Sequence, residues 1–216
     1  MNVELLTSPL SFEKMEHIAA LAALTCRGNT DKEFVPCEVL GRIIKAGHES
    51  ILEHINLTYS VKGLSRACLQ EVARHRHISL SVESTRHTLR RQLREIDNGA
   101  GEAPLWYPVP SSLEDNWKTT REFTELLYEF WHAHIDMPND ELKYYLPEFW
   151  PTNLILTSNI RELRHILKLR TAPQALKEFR ELVRAMYEAV PEAFRYLLSD
   201  CVHEEQPQVQ CAPEEV

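Results

Sequence analysis

The chain has 216 residues, of which 44% are hydrophobic and 26% charged, with a formal net charge of −8. That composition excludes a disordered or fibrous chain, and the length suffices for one large domain with a real core. The acidic balance is a poor match for non-specific nucleic-acid binding, and no apolar run approaches the roughly 20 residues of a membrane span. Met1-Asn2-Val3-Glu4 carries neither a basic nor an apolar leader region, so a cytoplasmic location is expected. Phe12, Met15, Ala19 and Ala22 fall at helical spacing, with Ser11 placed to cap the helix. Phe34, Cys37, Leu40 and Ile44 mark a second helix that stops near Gly47. Residues Ile55 to Lys62 alternate apolar and polar without a fault, which predicts a strand ended by Gly63. A short helix follows from Leu64 toward Arg74, with Leu64, Cys68 and Val72 on one face.

Further along, Asp97 to Ser112 holds two glycines and three prolines and reads as a long functional loop. Ser111 and Glu114 form a capping box for the longest helix, striped by Trp117, Thr120, Thr124, Leu127, Trp131 and His134. Asn153 to Thr157 predicts a second strand, and Asn159 to Arg170 a helix. Pro173 is placed to open another helix, with Leu176, Phe179, Val183, Met186 and Val190 as its core stripe. A last helix is expected from about Pro191 to Cys201. The expected class is α+β in one domain spanning residues 1–203, followed by an acidic, frayed tail over 204–216. Five cysteines, an odd count with no CxxC spacing, predict reduced and mostly buried thiols.

Three patches carry the polar chemistry. Between Arg74 and Arg94 lie six arginines and three histidines against a single acid, Glu83. Guanidinium forks bind phosphate bidentately, so Arg74, Arg76 and Arg86 with Ser79, Ser84 and Thr85 suit one or two phosphorylated ligands. The alternative is a solvated, charged helix end. A nucleophilic pair of His75 with Ser84 is conceivable, but no orienting carboxylate is evident. In the second patch Arg161, His165 and Lys168 share a helix face opposite Ile160, Leu163 and Leu167, with Asn159 and Arg170 nearby. That face either is merely solvated or meets a ligand. The third patch, His48-Glu49-Ser50-Ile51-Leu52-Glu53-His54, lacks a usual zinc spacing, so ligand hydrogen bonding or turn capping is expected there and no metal.

Taken in order, these patches resemble the flavin-dependent thymidylate synthases, also called thymidylate synthase-complementing proteins. The family hallmark is Arg-His-Arg, seven residues, then Ser, matched by Arg74-His75-Arg76 and Ser84. His48-Glu49-Ser50 with Glu53-His54, Leu69-Gln70-Glu71, Ser84-Thr85-Arg86, Asn159-Ile160-Arg161 and Leu169-Arg170 extend the match over roughly residues 5 to 200. The resemblance implies a twisted antiparallel sheet flanked by helices, assembled as a homotetramer with active sites at subunit interfaces. It implies reductive methylation of dUMP to dTMP, with FAD, NADPH and methylenetetrahydrofolate, and without an enzyme nucleophile. By position, Arg74, His75, Arg76 and Ser84 take the catalytic region. Ser50, Glu53, Arg74, His75, Arg76, Asn159, Arg161, His165 and Leu169 are implied to hold FAD, with Cys26 a weaker candidate. Glu71, Ser84, Thr85, Arg86 and Arg170 are implied to hold the nucleotide. The chain departs from the common family pattern at Ser81, Val82, His87, Asn153, His165 and Gln174. Rival readings are a related dCMP or dUMP methylase or hydroxymethylase, and a non-catalytic nucleotide- or RNA-binding homologue.

Overall fold

The alternating run before Lys62 organises the sheet. In the computed structural model, which describes residues 1–31, 33–97 and 117–203, β2 (Asn56–Ser65) pairs with β1 (Asn2–Leu5) on one side. On its other side it pairs with β4 (Pro151–Asn159), and β4 pairs in turn with β3 (Ile78–Val82). The order is β1-β2-β4-β3 and every pairing is antiparallel. Gly63 does not end β2. It adopts φ +76° inside the strand, where the register shifts between Lys62 and Leu64. Only glycine takes that conformation cheaply, so the residue makes a bulge where sequence suggested a stop.

Alternation gives the sheet two unlike faces. Leu57, Tyr59, Val61, Leu154 and Leu156 are buried on the inner face. Thr58, Ser60, Asn153 and Ser81 point the other way, with Thr58 Oγ1 2.9 Å from Thr157 Oγ1. Over the inner face pack α1 (Pro9–Thr25), α2 (Pro36–Lys45), α6 (Ile160–Arg170) and α7 (Lys177–Glu188), forming one apolar core with Phe12, Leu40, Leu163 and Leu182 at 0% exposure. Between them, α3 (Arg66–Val72) follows β2 directly, capped by Ser65, whose Oγ accepts from Cys68 N. A smaller apolar cluster joins α4 (Thr85–Asp97) to α5 (Trp117–Ala133) through Leu89, Leu93, Trp131, Leu142 and Trp150.

Several expectations are corrected. The cap of α1 is Ser8, whose Oγ accepts from Ser11 N, because Pro9 takes the first helical position. Pro173 lies in a turn, and α7 begins only at Lys177, leaving Leu176 41% exposed outside the core stripe. The stretch after Pro191 forms two 3-10 segments, Glu192–Leu197 and Ser199–Cys201, in place of one α-helix. Cys26 and Cys37 are exposed while Cys68 and Cys201 are buried, so only half of the described thiols are interior. The expected glycine-proline loop beyond residue 97, the Ser111 capping box and the acidic tail from Glu204 lie outside the described residues. Among the described residues, no helix is long and apolar enough to cross a membrane.

Candidate active site

Arg74-His75-Arg76 occupies the turn between α3 and β3, and the turn sorts its three side chains. Arg74 is 74% exposed at the side chain and Arg76 is exposed, while His75 is buried between them at 7%. The His75 ring meets Arg170 at the end of α6, whose Nε donates to His75 Nε2 at 3.1 Å. Arg170 Nη1 donates to Glu71 Oε2 at 3.1 Å, and the guanidinium lies over the Phe179 ring at 4.8 Å. Glu71 also lies 3.6 Å from Arg74 Nη1, so one carboxylate joins two of the predicted arginines. On the far side of the ring, His75 Nδ1 lies 3.4 Å from Glu162 Oε1. His165 approaches edge-on at 6.1 Å between ring centres. Burial and the neighbouring Arg170 cation push the His75 pKa below the usual histidine value, so the ring is held neutral.

A second group forms beside it. The 3-10 helix Glu49–His54 carries Ser50 and Glu53, both exposed, and Glu53 accepts from Arg161 Nη1. Asn159 caps α6, its Oδ1 accepting from Glu162 N at 2.8 Å, and Leu169 is 50% exposed on the outer side of the same helix. The two acids of the His48–His54 patch thus serve cations: Glu53 meets Arg161, and Glu49 meets Arg164 and Lys168.

Ser84, Thr85 and Arg86 open α4 on another part of the chain. The Ser84 carbonyl accepts from Thr88 N at 3.1 Å, and Arg86 Nε lies 2.8 Å from Asp140 Oδ1. Arg86 and Arg170 thus have different side-chain partners within one chain. The Arg86–Asp140 pair is exposed on both sides, and such pairs contribute little, so the guanidinium is available to a stronger anion. A nucleophilic pairing of His75 with Ser84 does not form, because both His75 nitrogens face Arg170 and Glu162. Burial pushes the Cys68 thiol up and the Cys201 thiol up to about 11, which keeps both protonated.

Three participants escaped the sequence reading: Glu162, Phe179 as a ring beneath Arg170, and Arg164. Arg164 is 1% exposed. Its Nη1 and Nη2 lie 2.6 Å from the two Asp200 oxygens, its Nη2 lies 3.0 Å from Glu49, and its Nη1 donates to the Leu197 carbonyl. The signal was present, since Ile160, Leu163, Arg164 and Leu167 follow core spacing i, i+3, i+4, i+7. Asn153 has a structural place. Its Oδ1 accepts from the bulged Gly63 N at 3.0 Å, and its Nδ2 donates to Glu83 Oε2 at 2.6 Å.

The fold and this cluster define an α+β protein in which a buried imidazole and a carboxylate from separate elements hold one guanidinium, with a second arginine on the same carboxylate. A family model described as Thymidylate synthase complementing protein matches residues 9–194, and the chain belongs to that family. Flavin-dependent thymidylate synthase from Campylobacter jejuni (strain RM1221) is 40% identical over 182 residues, covering 83% of this chain and 85% of the relative. The enzyme of the same name from Wolinella succinogenes is 38% identical over 180 residues, covering 82% and 84%. The crystal structure of thymidylate synthase X from Helicobacter pylori with FAD and dUMP matches at TM-score 0.74 and 31% identity, covering 94% of this chain and all of that one.

Proposed function

We propose that this chain is a flavin-dependent thymidylate synthase that methylates dUMP reductively to dTMP, with methylenetetrahydrofolate as carbon donor and NADPH as reductant. The observation that carries this reading is the joining of His75, Arg170 and Glu71 by hydrogen bonds, with Arg74 ion-paired to the same Glu71, which brings three elements of one family motif set together. The donor set fits FAD: exposed guanidinium groups at Arg74 and Arg76 suit a pyrophosphate, and exposed Leu169 suits a planar ring. Ser50, Glu53, Asn159, Arg161 and His165 complete the set that would hold it. When bound, the flavin supplies the hydride and relays the one-carbon unit.

The chain's own residues bind and orient. Arg170, held by Glu71 and His75, presents a fixed cation to the pyrimidine, favouring negative charge that develops on the ring. Ser84, Thr85 and Arg86 would grip the nucleotide phosphate, Arg86 exchanging Asp140 for it. Neither buried thiol acts as a nucleophile in this scheme.

Assembly into a homotetramer, with each site drawing on several chains, accords with Arg86 sharing none of the Arg170 partners in one chain. It also accords with apolar groups left exposed: Leu10, Ile18 and Leu21 on α1, Phe123 and Leu126 on α5, and Ile155 on the outer face of the sheet, which the family reading makes a twisted one. The reading further takes residues 1–203 as one domain with an acidic tail, working in the cytoplasm. The test is optical. Purified protein is expected to retain a flavin absorption band through desalting, and dUMP to perturb that band. Arg86→Ala should weaken the dUMP response about tenfold or more, since a charge-assisted contact is lost. Colourless protein that takes up no added FAD overturns the reading.

A further inference from the structure

Glu162 is a carboxylate where a helix face should carry an apolar group. Its residue is 9% exposed, and its side chain has one polar neighbour among the described residues, the His75 ring. It stands in the first turn of α6, beside the backbone N–H groups that Asn159 caps. Across the ring, Arg170 Nε can only donate, so His75 Nε2 must accept. The ring proton therefore sits on Nδ1, facing Glu162 Oε1 at 3.4 Å. The groups run in one line: Glu162 carboxylate, neutral His75, Arg170 guanidinium, Glu71 carboxylate. Phe179 closes the ring's apolar side at 5.7 Å and lies under the guanidinium. Arg170 is thus fixed at Nε, at Nη1 and on its face, while its Nη2 makes no hydrogen bond among the described residues.

We propose that Glu162 is a positioning residue that acts through His75: it holds the imidazole in the Nδ1–H tautomer, and thereby fixes Arg170 with Nη2 presented to the nucleotide. This rests on Arg170 binding the nucleotide, as proposed above. Without Glu162 the Nδ1–H loses its acceptor. The ring is then free to turn or exchange tautomer, and a proton on Nε2 would point at Arg170 and break the link. The charged and titratable groups around the ring are Glu162, His165 and Arg170 from α6 and Glu71 from α3, while α7 contributes the Phe179 ring. Because the fold holds His75 neutral, the link is complete above the ordinary histidine value of about 6.5 and is lost as pH falls through the lowered folded value.

Nitrogen-15 histidine NMR on the full-length protein, with dUMP kinetics beside it, tests the proposal. The wild type is expected to show His75 as the neutral Nδ1–H form. Glu162→Leu should lose that single tautomer and raise KM for dUMP about tenfold. Glu162→Gln keeps an acceptor oxygen and should retain the tautomer, with a smaller rise in KM. It should lower the His75 pKa further, because the charge that favours imidazolium is gone. A His75 tautomer and dUMP KM unmoved in Glu162→Leu overturn the proposal. Should that variant not fold, an unchanged or raised His75 pKa in Glu162→Gln overturns it equally. Absence of any dUMP binding by the wild type would instead strike the functional reading, while the tautomer result still decides the role of Glu162.

Discussion

Arg170→Ala is expected to lower kcat/KM for dUMP by about a hundredfold or more, the usual scale for removing one preorganised donor at a developing charge. Arg170 is the point where the separate motifs meet. It touches His75 from the Arg-His-Arg turn, Glu71 from α3 and the Phe179 ring from α7. Its removal leaves Glu71 with only the looser contact to Arg74 and orphans His75 Nε2. The residue is 21% exposed at its side chain, so its loss opens the site more than the core, and the thermal midpoint should move much less than the rate. Arg170→Lys should rescue little, because an ammonium cannot span His75 and Glu71 as a planar fork does. Steady-state kinetics beside a melting curve check this. A kcat/KM within a few-fold of wild type would remove Arg170 from the site.

Arg164→Met is expected to destabilise the fold by about 3 kcal/mol, the low end for removing one partner of a buried ion pair. The low end applies because the side chains left behind keep some water: Asp200 is 51% exposed and Glu49 24%. Lys168, 3.5 Å from Glu49, offsets part of the loss there. What is lost with it is a junction. Arg164 ties α6 to the 3-10 helix Glu49–His54 and to the last described turn, Ser199–Cys201. The variant should melt roughly 10 °C lower. Because the 3-10 helix carries Ser50 and Glu53, flavin should also be released more readily before unfolding begins. An unchanged melting temperature would mean that Asp200 and Glu49 do not hold Arg164 in solution.

Much of this was legible because strong alternation and helical spacing report burial directly. β2 and β4 were read for that reason, and so was the buried Ile160-Leu163-Leu167 face of α6. β3 escaped although Ile78-Ser79-Leu80-Ser81-Val82 alternates, because it is an edge strand embedded among arginines and histidines. β1 escaped because four residues carry too little pattern. In the site, charged residues announced themselves by type, but type does not reveal pairing. Arg161 and Arg164 read alike in sequence, yet one is exposed and meets Glu53 at the surface while the other is 1% exposed. Glu162 gave no sign, since its importance lies in a partner 87 positions away. The Gly63 stop failed because a glycine in a strand marks either an end or a bulge, and the Asn153 acceptor across the sheet decides which.

The arrangement of residues around Arg170 supports the transfer of a one-carbon unit to a pyrimidine nucleotide. Purified protein incubated with FAD, NADPH, methylenetetrahydrofolate and dUMP should yield dTMP, in a reaction that stops when NADPH is omitted and that Arg170→Ala suppresses. Protein that binds both FAD and dUMP yet forms no dTMP under these conditions would contradict it.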